Sequence, residues 1–136
     1  MAGKVYCLYA GEDGRSRFTD APLQLQDDGA QRWSTGFLGA KAWMYSVTQR
    51  EREVDWHTAG PGGVSVMIAG CMEVEAGNGD RRTVEAGDVL FALDTTGQGH
   101  RTYLSAGACG LTVAFEGDPR VLLQSLFAVP PPQNGQ

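Results

Sequence analysis

Histidine is scarce in this chain, with two in 136 residues, His57 and His100. Cysteine is nearly as scarce. Cys7, Cys71 and Cys109 are odd in number and far apart, and no Cys-x-x-Cys pair occurs. That argues against a disulfide framework and a thiolate metal centre. The three read as buried free thiols in a reducing cytosol, so the expected location is cytoplasmic. No apolar run approaches the roughly 18 residues of a membrane helix, and "MAGKVYCLYAGEDG" at the start holds too short an apolar stretch for a signal peptide. Basic clusters are missing as well. Eleven Lys and Arg stand against sixteen Asp and Glu, the net charge is −5, and "DRR" at 80–82 is the densest basic stretch. Neither nucleic acid nor an anionic membrane is expected as a partner. A long stretch with a period of about 3.6 residues is also lacking, which argues against a helical bundle.

What the chain does have is glycine, nineteen of them, with six prolines and 42% hydrophobic residues. That is enough apolar content for a core and too much for a disordered chain. Its length suits one domain. Short runs of strand formers are divided by Gly, Asp, Asn and Pro. "KVYCLY", "AWMYSVTQ", "VSVMIAG", "CMEVEA", "RRTVEAG", "DVLFAL", "HRTYLS" and "CGLTVAFE" read as strands. "GNGD" at 77–80 predicts a hairpin turn, and Gly70 a tight bend or bulge. "GPGG" at 60–63 is a break. Neither glycine-rich piece sits in the strand–loop–helix setting of a phosphate cradle. "DPRVLLQSLFA" predicts one short helix with Asp118 as cap and Pro119 in its first turn. The pattern is that of an antiparallel, all-β sandwich or barrel, with a frayed tail over 129–136.

The order of "WHTAGPGGVSVMIAGCMEVEAGNGDRRTVEAGDVLFALDTTGQGHRTY" resembles the small single-domain members of the cupin superfamily. The resemblance implies a double-stranded β-helix, a jelly-roll barrel, with its motif core at about 42–116 inside a domain of 1–128. Gly87 opens the family's second motif in an "AGD" turn, and Gly97 and His100 keep its G-x-x-H spacing. Thr95 stands where proline is usual and Leu104 where asparagine is usual. The first motif is matched only in part. Counting back from Gly70 places Gly63 at the usual glutamate, Ala59 at the second histidine and His57 at the first. Of the four ligand positions only His57 and His100 keep a donor, and two imidazoles hold a divalent ion weakly. Asp55 and Asp94 are the local candidates for a third ligand. Alternation argues against Asp55, and the direction of Asp94 is not legible.

The implied barrel encloses a cavity. Alternation from His57 and His100 puts Ser65, Met67, Thr102 and Leu104 inward, and the aromatic face of 42–49, Trp43, Tyr45 and Val47, is expected to join them. Tyr45, Ser65, Met67 and Thr102 are thus the expected substrate contacts. Trp56 faces the other way, toward surface packing or a dimer contact. Tyr103 and Cys71 read as structural, since nothing near Cys71 in sequence activates a thiol. Imidazole titrates near neutral pH, and two that face each other supply a base and an acid in one pocket. Three functions follow. The first is proton-transfer chemistry on a small organic molecule (isomerisation, epimerisation, cyclisation or elimination) with His57 and His100 as acid and base. The second is a metal enzyme such as a dioxygenase, with a weakly held divalent ion on His57 and His100. The third is a non-catalytic small-molecule binder. A homodimer is expected, because exposed strand edges need cover.

Overall fold

Alternating apolar residues between glycine turns give twelve strands and one helix in the computed structural model, which describes residues 3–130. The strands are β1 (Val5–Ala10), β2 (Ser16–Phe18), β3 (Gln26–Asp27), β4 (Trp33–Ser34), β5 (Ala40–Val47) and β6 (Arg52–His57). They continue with β7 (Gly63–Ala69), β8 (Cys71–Ala76), β9 (Arg81–Glu85), β10 (Val89–Leu93), β11 (His100–Leu104) and β12 (Cys109–Phe115), and α1 (Pro119–Phe127) closes the chain. The protein is all-β with one C-terminal helix, as the strand pattern predicts.

One sheet has six strands in the order β2-β1-β10-β7-β12-β5, and a second has four in the order β6-β11-β8-β9. A small hairpin, β3-β4, stands apart. Among the described residues no sheet closes on itself into a barrel. The two large sheets share a core instead. Leu8, Met67 and Leu90 of the first pack with Met72, Val74, Ala76 and Val84 of the second. Pairing is antiparallel except for β1 with β10, which run parallel from Val5↔Val89 to Tyr9↔Leu93. This one pair departs from the antiparallel expectation.

The local signals sit where the turn chemistry requires. "GNGD" joins β8 to β9 as a hairpin. The bend at Gly70 does more than make a hairpin, since it carries the chain from β7 in one sheet to β8 in the other. Asp118 caps α1 by accepting from the Arg120 N–H at 2.9 Å, and Pro119 supplies a residue that needs no N–H partner. Leu123, Leu126 and Phe127 on the helix bury against Cys7, Phe91, Leu93 and Phe115 on the outer face of the larger sheet. Val129, the first residue of the expected tail, packs against this cluster. Positions 131–136 lie outside the described residues.

α1 covers only part of that outer face. Cross-strand partners place Phe91, Val64, Val113 and Trp43 in one row. The helix shields its Phe91 end, while Trp43 at the other end is 73% exposed.

Candidate active site

The two histidines meet. β6 and β11 are antiparallel neighbours with His57 opposite His100. Their ring centroids are 4.4 Å apart and the rings are tilted by 58°. A bulge makes this possible. Thr102 pairs with Val54 and His100 with His57, so the step from Val54 to His57 on β6 spans one residue more than the step it faces on β11. The bulge turns the side chain of His57 onto the face of Val54 and Arg52, where strict alternation would have sent it outward. The alternation argument that paired Asp55 with His57 therefore fails. Asp55 is exposed and its Oδ1 accepts from the Trp56 N–H at 2.9 Å.

Gly99 lets the strands close up beside the pair. A Cβ built there would lie 1.9 Å from the carbonyl oxygen of His57, and its φ of +76° lies in the left-handed region that favours glycine. The hydroxyl of Ser16 donates to the Gly99 carbonyl at 2.7 Å and holds this turn against β2.

Each ring has its Nδ1 engaged. The backbone carbonyl of Asp55 accepts from His57 Nδ1 at 2.7 Å, which places the proton of the neutral ring on that nitrogen. His100 Nδ1 meets Asp94 Oδ2 at 2.6 Å, with Asp94 fully buried. Burial pushes the Asp94 carboxyl up from its ordinary value, and the hydrogen bond and charge of His100 oppose that rise. The same residue also binds the other segment. Its backbone carbonyl accepts from the Ala59 N–H at 3.1 Å, two residues beyond His57. Asp94 was legible only as a possible metal ligand, and it is instead the residue that orients His100. On both rings Nε2 is the nitrogen left for a substrate.

The rings stand at one end of a cavity of about 750 Å3 between the two sheets, within the size range of small-molecule sites. Met44, Ser46, Ser65, Leu90 and Thr112 line it from the larger sheet, and Met72, Thr102 and Leu104 from the smaller. Ser65 and Thr112 share a hydrogen bond of 3.2 Å. Of the expected substrate contacts, Ser65 and Thr102 reach the cavity. Met67 does not line it; it is buried and lines a separate pocket of about 60 Å3 that shares Ser46, Ser65 and Met72 with the cavity.

Tyr45 is a correction. Met44 pairs with Thr112 and Thr112 with Ser65, so this row faces inward. Tyr45 and Trp43 face outward, and Tyr45 is 58% exposed with its hydroxyl 2.9 Å from Cys109 Sγ. Val47 is more than half exposed and touches the cavity only at its rim. Both faces of β5 hold apolar residues, and cross-strand register decides between them. Trp56 lies beneath the Arg101 guanidinium, 5.2 Å from ring centroid to carbon.

The donor set fits poorly with a catalytic metal, which takes about three protein ligands. Among the described residues no three His, Cys, Asp or Glu side chains converge to hold one. A Cβ at Gly63 would lie 2.4 Å from the Val113 carbonyl oxygen, so that position has no room for a glutamate. Asp94 is committed to His100. Among the described residues no helix is long and apolar enough to cross a membrane. In comparison with known proteins, no family model, no curated protein and no solved structure matches this chain.

Proposed function

We propose that this chain is a small cytoplasmic enzyme of cupin type that moves a proton on a small organic molecule held between its two sheets. The observation that carries the reading is the buried Asp94–His100 pair set against His57 at the end of the cavity. Two facing sheets with a cavity between them support a jelly-roll description, and the motif spacing around Gly87, Gly97 and His100 supports the family.

The chemistry follows from the hydrogen bonds. A neutral imidazole with Nδ1–H donating offers a lone pair on Nε2, which is a base. When it takes a proton from carbon, the C–H bond breaks and its electron pair stays on the substrate. The carboxylate of Asp94 stabilises the imidazolium formed on His100 and keeps its ring oriented. The second imidazole, in its charged form, returns a proton at another atom. Isomerases, epimerases, cyclases and lyases share this pair of steps.

The test is deuterium exchange. Carbon acids of cavity size, such as keto acids, hydroxy ketones and amino acids, are incubated with the protein in heavy water and followed by proton NMR. Wild type is expected to wash out one C–H signal, and His57→Ala and His100→Ala are each expected to stop it. Exchange that survives both changes would sink the assignment of acid and base. Shifts of the imidazole signals with no exchange across the panel would make the chain a binder.

The partner of the outer face is a second copy. All eight residues of β5 are exposed, and β5 is an edge with unpaired backbone groups. Trp43, Tyr45 and Val47 lie uncovered beside that edge, each more than half exposed. A two-fold axis through β5 pairs the edge with itself and covers the apolar patch in one step. Light scattering at micromolar concentration should give a dimer, and Trp43→Glu a monomer. A monomeric wild type would contradict the proposal.

A further inference from the structure

We infer that the substrate is a monocarboxylate with an apolar body, its carboxylate held by Arg50 and Arg52 at the end of the cavity away from the histidines. This deepens the proton-transfer reading and rests on it for the word substrate.

The cavity has a polarity that the net charge of −5 hides. Arg50, Glu51 and Arg52 are the charged residues that line it apart from the two histidines. They leave one positive charge in excess, which matches a single carboxylate. Six of the seven arginines elsewhere on the chain are matched with carboxylates, Arg15 being the exception. Arg81 bonds Glu73 and Glu75, Arg101 bonds Glu75, and Arg32 bonds Asp28. Among the described residues, neither Arg50 nor Arg52 has an ion pair. A guanidinium at the rim of a part-enclosed site binds a carboxylate through two parallel N–H donors.

Register sets the length of the ligand. Arg52 pairs with Leu104 and His57 with His100, so the two ends are four residues apart along β11. Four residues of strand span roughly 13 Å, and the inward reach of the side chains shortens this to about 10 Å. Met72 and Leu104 stand level with Arg52, Thr102 lies between the two ends, and Met44 and Leu90 face them from the larger sheet beside the Ser65 and Thr112 hydroxyls. A chain or ring of that length with one acidic end and its reacting carbon at the other fits. A dianionic phosphate would keep an unmatched negative charge.

The chain has two histidines, and both stand in the cavity. Their imidazole proton signals thus report occupancy of this site and not of the outer face. Hydrocinnamate, a carboxylate on an apolar ring, and hydrocinnamamide, its neutral isostere, are titrated against the histidine signals of the whole protein. Hydrocinnamate is expected to shift both signals and the amide to bind about tenfold more weakly. In the double variant Arg50→Gln, Arg52→Gln the two compounds should bind alike. Both residues are exposed, so the variant is expected to fold as wild type does. Equal binding of acid and amide by wild type would overturn the carboxylate inference alone, as would a preference that persists in the double variant. Signals unmoved by either compound would overturn it together with the small-molecule reading of the cavity.

Discussion

Replacing Gly99 by alanine separates two costs that a glycine can hide. The residue has φ of +76°, and its Cβ would stand 1.9 Å from the His57 carbonyl oxygen and 2.7 Å from the Thr58 nitrogen. The backbone term is about 1–2 kcal/mol for an L-residue in the left-handed region. The steric term is that of overpacking, about 1–3 kcal/mol when the surroundings give way. The contact is backbone on backbone, so β6 itself has to move. Gly79 serves as the control. It has φ of +96° in the β8–β9 turn, with nothing within 4 Å of a Cβ, so only the backbone term applies. For a chain of this size 1 kcal/mol corresponds to about 3–4 °C in Tm. Thermal unfolding followed by circular dichroism should lose about 5 °C for Gly79→Ala and about 12 °C for Gly99→Ala. The imidazole signals should move in the second variant alone. Equal losses in Tm, with both histidine signals unmoved in Gly99→Ala, would refute the claim that this glycine sets the distance between the two rings.

Two further outcomes test the scaffold. Burial raises the Asp94 carboxyl, so the native state holds its proton more tightly than the unfolded chain does. The stability from that proton is complete below the ordinary value of 3.8 and is lost as pH rises through the raised one. Asp94→Asn has no such loss, so its Tm should gain on wild type as pH rises above the ordinary carboxyl value of 3.8, while proton exchange falls. A gap independent of pH would contradict the shift. Phe127 is buried and meets Phe91 edge-on at 5.3 Å, so Phe127→Ala should cost about 3–5 kcal/mol by denaturant unfolding; a cost under about 1 kcal/mol would mean that α1 is not anchored to the sheet.

The features legible in the sequence are those whose cause is local. "GNGD" makes its hairpin and Asp118–Pro119 starts its helix because the turn and cap chemistry sit within four residues of the effect. Ser65 and Thr102 face the cavity because no irregularity intervenes between them and a known inward neighbour. The misreadings have distant causes. The bulge before His57 is an offset between β6 and β11, strands more than forty residues apart, and no residue type at Asp55 or Trp56 announces it. The orientation of Tyr45 depends on the register of β5 against β12, and an edge strand with apolar residues on both faces holds no internal vote. The sheet change at Gly70 looks, in sequence, like any tight bend. Nothing in the run from Arg50 to Arg52 marks those residues as cavity-lining, because the cavity exists only once the two sheets face each other.

Asp94 is the residue that folding alone does not explain. It is fully buried, and its Oδ1 has no hydrogen-bond partner among the described residues. A buried polar atom without a partner costs about 1–3 kcal/mol, and a leucine of similar size would remove that cost. Its neighbour Cys7, whose thiol is pushed up by burial and by the Asp94 charge, is a small apolar packer and gives no compensation. The gain has to lie in the one strong bond the carboxyl makes, to His100 Nδ1. That bond fixes the ring, leaves Nε2 to the cavity and stabilises the ring when it is charged. A structural histidine needs none of these, since packing alone would hold it. A histidine that accepts and returns protons needs all three.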